Sequence, residues 1–143
     1  MKSITLLSFL VAAITLFGCA RTTKTEPEKS YQGHPIIGTW SFEMNNCTET
    51  YEFLTDGTRN STSAEEVVQA AYVISANPSD KGFYKITDKI TRDNGKRDCS
   101  GSTEDMTGDV VELYVLFNQK MDQIVFCLDE SLERCVGPFR KKK

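Results

Sequence analysis

From Ile36 onward, apolar and polar side chains alternate with a period of two, the mark of strands with one buried face and one wet face. In Gly38 to Met44, Trp40, Phe42 and Met44 share one face, and Thr39, Ser41 and Glu43 share the other. In Cys47 to Leu54, Tyr51 and Phe53 alternate with Thr50 and Glu52. Asp56-Gly57 then predicts a tight turn, because glycine accepts the positive φ that hairpins need. Val67 to Ser75 predicts another strand, ended by the breaker cluster Asn77 to Gly82. Its start is open to two readings, since Ser63 and Glu66 also fit a capping box for a short helix. Phe83 to Thr91 sets Tyr84, Ile86 and Ile90 against Lys85, Thr87 and Lys89, and Asp93-Asn94-Gly95 predicts a hairpin. The polar stretch Lys96 to Asp109 is expected to pair only in part. Val111, Leu113, Val115 and Phe117 share a face within Val110 to Phe117; Gln123 to Leu128 and Val136 to Arg140 complete the set. Seven or eight short strands in sequence order, joined by tight turns, predict an all-β antiparallel meander. Such a sheet removes its exposed edges most completely by closing into a barrel.

The residues before Ile36 follow a different pattern. Lys2 supplies one positive charge, Ile4 to Phe17 form an apolar stretch too short to span a bilayer comfortably, and Gly18 sits before Cys19. This is the pattern of a secretory signal, and Leu16-Phe17-Gly18-Cys19 resembles a bacterial lipobox. The resemblance implies a signal peptide over residues 1–18 and a Cys19 acylated on its thiol. That lipid would anchor the chain in the bacterial cell envelope. Ala20 stands where an inner-membrane retention signal would place Asp, so in a Gram-negative host the resemblance implies the outer membrane. Residues 19–35 then read as the acylated cysteine and a flexible tether rich in Thr, Glu and Lys. Residues 36–143 read as the barrel domain. The sole histidine, His34, lies at the end of the tether beside Pro35 and is expected to be solvated.

Of the 143 residues, 125 remain from Cys19 onward, enough for one domain and not for two. Ile36 to Phe139 holds 9 Lys and Arg against 18 Asp and Glu, a balance of −9. That balance argues against a nucleic-acid partner, whose phosphates it would repel, and leaves room for a basic protein. Arg140 to Lys143 form a basic tail that reads first as a solvated, frayed terminus; the alternative is contact with anionic head groups, where each such charge contributes about 1 kcal/mol. Setting Cys19 aside leaves Cys47, Cys99, Cys127 and Cys135, an even number in an exported domain, which predicts two disulfides. Four cysteines allow three pairings. Cys127 and Cys135 flank a polar loop between strand-like segments, so bridging them, with Cys47 joined to Cys99, is preferred. A zinc site of four thiolates is disfavoured because no Cys-x-x-Cys pair is present.

Gly38-Thr39-Trp40, at the first strand after a short leader, resembles the lipocalin and lipocalin-like signature, and the strand pattern extends the likeness over Ile36 to Arg140. The resemblance implies an up-and-down barrel with Trp40 packed across one end. It implies that Arg140, after Gly137-Pro138-Phe139, lies over that Trp. It also implies a small apolar ligand carried inside.

No enzyme motif emerges. A nucleophilic serine or cysteine needs a base beside it, yet His34 lies in the tether and the domain cysteines are expected to be oxidised. Glu65-Glu66, Glu104-Asp105 and Asp129-Glu130 fall in polar, turn-like stretches and read as solvated surface. Asp93-Asn94-Gly95 begins like a calcium loop but lacks the ligands that should follow. No cofactor is implied. The chain therefore reads as a non-catalytic binding module for a protein partner, with Asp93 to Asp109 as its principal adaptable surface. Small, lipid-anchored, disulfide-bonded barrels that inhibit lysozyme resemble it in size and anchoring. The alternative is a carrier of a small apolar ligand. Trp40, Phe42, Tyr51, Phe53, Tyr84, Phe117 and Phe126 pointing inward would fill a small barrel with its own side chains. An open cavity of about 300 Å³ or more would instead favour the carrier.

Overall fold

Alternation of the two faces has one structural consequence when every connection is short: each strand pairs with the next. The computed structural model describes residues 30–143. Within it β1 (Gly38–Met44), β2 (Cys47–Phe53), β3 (Thr58–Ser63), β4 (Glu66–Ile74), β5 (Tyr84–Asp93), β6 (Val110–Phe117), β7 (Gln123–Cys127) and β8 (Cys135–Lys141) run antiparallel in sequence order. β8 returns to β1 through Trp40 opposite Lys141 and Ser41 opposite Arg140, closing an eight-stranded barrel. The expected all-β meander is therefore present. The signal peptide, Cys19 and the tether as far as residue 29 lie outside the described residues.

Three local features go beyond or depart from the sequence pattern. β3 carries no apolar side chain, so periodicity gave no sign of it. Its register sets Arg59 opposite Phe53, Ser61 opposite Tyr51 and Ser63 opposite Glu49, and opposed residues share a face. The strand thus turns Arg59, Ser61 and Ser63 inward. Ser63 does not cap a helix. A two-residue turn at Ala64 and Glu65 joins β3 to β4, with Ala64 at a φ of 52°, while the Ser63 hydroxyl binds Glu49 Oε1 and accepts the Cys99 N–H. Asn94-Gly95 does not reverse the chain either. The Asn94 side chain accepts from Val67 N and donates to Glu65 O, holding the chain alongside β4 as far as Arg97. The connection from β5 to β6 is accordingly a long loop over residues 94–109.

The two ends of the barrel differ. At one end lie the β2–β3, β4–β5 and β6–β7 connections and both ends of the described chain. This end is closed. Trp40 and Ile36 are 0% exposed, and the Trp40 indole N–H donates to Ile36 O at 2.7 Å. Its ring meets Phe117 edge-on. The cation over that ring is Lys141 Nζ, 5.0 Å from the centroid, and not Arg140, which is exposed. Parity explains the exchange: with Phe139 buried, residue 141 faces inward and residue 140 outward.

Residues 30–35 are part of the folded unit and correct the expected tether boundary. Tyr31 is buried, stacks on Tyr72 at 4.9 Å, and donates its backbone N–H to Thr55 O. Gly57, in the turn expected at Asp56-Gly57, sits beneath that ring at a φ of +87°. A Cβ there would lie 3.3 Å from Tyr72 O and 3.4 Å from the Tyr31 ring, so glycine suits both the turn and the close approach. His34 is half-buried, not solvated. Its Nδ1 accepts from Ile36 N–H, its Nε2 lies 3.2 Å from Ser75 O, and its ring meets Tyr84 edge-on.

Candidate functional site

The opposite end carries the β1–β2 and β3–β4 hairpins, the 94–109 loop and the β7–β8 loop. Both disulfides gather there. Cys47 joins Cys99, with Cα atoms 5.7 Å apart, and Cys127 joins Cys135, at 4.0 Å. The first fastens the long loop to the start of β2; the second closes the base of the β7–β8 loop. The long loop is also pinned at its root, where Asp93 accepts the N–H groups of Gly95 and Met106. Met106 packs on Val68, Ala70 and Ile90, so the loop covers the β4–β5 side of the mouth.

The rest of the mouth is open. A cavity of about 670 Å³ descends between the Ser100 region of the long loop and the β7–β8 loop. Its walls are Tyr51, Phe53, Ile86, Leu113, Phe126 and Phe139. The rings of Tyr51, Phe53, Phe126 and Phe139 contact one another at centroid distances of 5.0 to 6.2 Å. All seven aromatics expected to point inward belong to the main core or pack against it, and Tyr31, Tyr72 and Phe139 join them. Trp40, Tyr84 and Phe117 pack together at the closed end, whereas Tyr51, Phe53, Phe126 and Phe139 wall a space that stays hollow toward the mouth. The expectation of a filled interior is thereby corrected: eight strands leave room at one end once the other holds Trp40 and Phe117.

A charged pair lies among these apolar walls. Arg59 Nε donates to Asp88 Oδ2 at 2.6 Å, and Arg59 Nη1 donates to Ser61 Oγ at 2.6 Å. The guanidinium also stands 5.3 Å from the Tyr51 ring centroid. Burial pushes the Asp88 carboxyl upward, against the opposing pull of Arg59. Asp88 Oδ1 is buried and has no hydrogen-bond partner among the described residues. Glu49 lines the same cavity, accepting from Ser63 Oγ at 3.2 Å. Burial, and to a lesser extent the Glu49 charge, push the Tyr51 hydroxyl up beyond its usual range, against the opposing pull of the Arg59 guanidinium. Glu66 is also shifted upward, by burial first and then by Asp93, Asp98 and Glu49.

Arg59, Asp88 and Glu49 were not anticipated as site residues. Asp88 did leave a signal, a carboxylate on the apolar face of β5 with Tyr84, Ile86 and Ile90. Arg59 left none, because β3 has no periodicity to violate. Of the three carboxylate pairs read as surface, Asp129 binds Arg134 at 2.7 Å across the β7–β8 loop. Among the described residues no group of three or more His, Cys, Asp or Glu could hold a metal ion. A second hollow, of about 810 Å³, lies on the outer wall between residues 30–35 and β4–β5, where His34, Val73, Lys85 and Thr87 border it. It is a surface groove without converging charged groups, so the barrel mouth is the stronger candidate. Compared with known proteins, the chain matches no family model, and neither a curated protein nor a solved structure is significantly similar to it.

Proposed function

We propose that this chain is a lipid-anchored, non-catalytic binding protein of the bacterial envelope that holds a small amphipathic ligand in the open mouth of a lipocalin-like barrel. The observation that carries the reading is the cavity of about 670 Å³ with its aromatic and aliphatic walls. Small-molecule sites are concave, mostly apolar and about 300–1,000 Å³ in size, with a few polar groups that orient the ligand. Arg59, Asp88 and Glu49 are such groups. The anchoring half of the proposal rests on the lipobox-like residues at Cys19. The described chain enters at the closed end, so an anchor attached there would leave the mouth facing away from the bilayer.

The test uses decanol, an apolar body with a neutral head, titrated by calorimetry against the chain lacking residues 1–18. Saturable one-to-one binding is expected. Leu113→Trp, which adds bulk at a half-buried wall position, should abolish binding while leaving the circular dichroism spectrum unchanged. Binding unaltered by Leu113→Trp would remove the mouth as the site. A protein partner is the second reading, favoured by exposed apolar residues on the mouth's rim: Leu132 is 55% and Val136 52% exposed. A barrel purified from its own envelope would then carry a protein and no small molecule in native mass spectrometry.

A further inference from the structure

Building on the mouth as a ligand site, we propose that its occupant is a protonated primary or secondary amine with an apolar body, its N–H donated to Asp88. The Asp88 side chain is only 9% exposed, yet one of its two oxygens has no hydrogen-bond partner among the described residues. An ionised carboxylate oxygen removed from water without a donor is costly, so such an atom marks a place where a donor belongs. The other oxygen is taken by Arg59 Nε, and Arg59 Nη1 is committed to Ser61.

Charge favours a cation over an anion. Glu49 and Asp88 line the cavity against Arg59 alone at depth, and Glu133 adds a further carboxylate at the rim. Arg134, the other cation of the lining, is held outward by Asp129. An anionic head would meet the carboxylates of Asp88 and half-buried Glu49 beside a single deep cation, Arg59, whose Nε is already bound to Asp88. A cationic head adds the missing positive charge instead. The surrounding rings suit it as well: Tyr51, Phe53 and Phe126 offer the electron-rich faces that attract ammonium groups within about 6 Å. A quaternary ammonium would meet those faces but has no hydrogen for Asp88 Oδ1. This requirement narrows the class to amines that keep an N–H.

The experiment compares four ten-carbon probes at pH 7, each below its micellar concentration: decylamine, decyltrimethylammonium, decanol and decanoate. Decylamine, whose pKa resembles that of lysine, is charged at this pH. It should bind at least tenfold more tightly than decanol and severalfold more tightly than decyltrimethylammonium, with decanoate weakest. Asp88→Asn should bring decylamine down to the level of decanol. If that variant fails to fold because Arg59 is left uncompensated, the wild-type ranking stands as the test, with Glu49→Gln expected to weaken decylamine and decyltrimethylammonium but not decanol. Equal affinity for decylamine and decanol, or tightest binding of decanoate, overturns the amine while leaving the mouth as a ligand site. No binding of any probe overturns both.

Discussion

His34 shows how one side chain can join a terminal segment to a barrel and make that joint sensitive to pH. Its two partners assign the tautomer: Nδ1 accepts the Ile36 N–H, which places the ring hydrogen on Nε2, facing Ser75 O. Protonation would set a new N–H against that of Ile36. Burial lowers the folded pKa, and the Ser75 bond offsets only part of the effect. The unfolded chain, with an ordinary value of about 6.5, therefore binds a proton first as pH falls. Between the two values the unfolded state holds more protons, so stability rises with pH. The contribution is intact above about pH 6.5 and is lost as pH falls through the folded value. Urea unfolding of wild type and His34→Gln should give curves that converge on acidification over this window. Taking the difference is necessary, because the raised carboxyls of Asp88 and Glu66 act in the opposite sense, losing stability as pH rises. Parallel curves would show that His34 does not titrate in the way its contacts require. At this scale the sequence was legible only where a residue broke a visible pattern. Asp88 interrupts an apolar face and could have been found. His34 looked solvated because Pro35 and a polar neighbourhood conceal a backbone carbonyl 41 positions away. The parity set by buried Phe139 places Lys141 over Trp40, one residue beyond the Arg140 that the family resemblance implies.

Between elements, the faces of strands could be read from alternation, but the partners of polar segments could not. Seven of the eight strands announce themselves through apolar residues on one face; β3 does not, since its inward residues are Arg59, Ser61 and Ser63. Asp93 to Asp109 reads as the principal adaptable surface, and its loop over residues 94–109 borders the mouth, yet the Asn94 side chain, clamped on the start of β4, overrides the Asn94-Gly95 hairpin signal. What keeps this loop across the barrel is the Cys47–Cys99 bridge, whose half-cystines are 52 positions apart. In the chain-entropy account, closing a loop of that length contributes about 4 kcal/mol, against about 2.5 kcal/mol for the Cys127–Cys135 bridge over 8 positions. Replacing both cysteines of each pair by serine should therefore lower the unfolding free energy by unequal amounts, the larger loss following the long bridge. Hydrogen exchange offers a second readout: Cys47→Ser with Cys99→Ser should lose protection over residues 97–106 while β6 and β7 keep theirs. Uniform loss across the barrel would mean that the bridge holds the whole fold and not the loop.

For the molecule as a whole, the meander divides two tasks between two ends. An even number of strands returns the chain to the end where it entered, so both termini of the described chain lie beside Trp40 and away from the cavity. The same end carries Arg140, Lys142 and Lys143, and Lys142 N–H is tied to Thr39 O of β1 at 2.8 Å. The acidic groups of the mouth lie at the opposite end, so the charge asymmetry runs along the barrel axis. A protein attached to an anionic surface through Cys19 would have its basic end drawn toward the lipid and its mouth kept clear of it. This leads to a prediction in two parts. Cys19→Ser should move the chain from the membrane fraction to the soluble fraction, because about 1 kcal/mol for each basic residue near the surface is too little to replace an acyl anchor. With Cys19 intact, Arg140→Gln combined with Lys142→Gln and Lys143→Gln should leave the chain in the membrane fraction. The same triple change should weaken binding of the soluble domain to phosphatidylserine vesicles, most visibly at low salt. A Cys19→Ser chain that stays with membranes after a high-salt wash would reject the lipid anchor. Vesicle binding that the triple change leaves untouched would reject the basic end as the face turned to the bilayer.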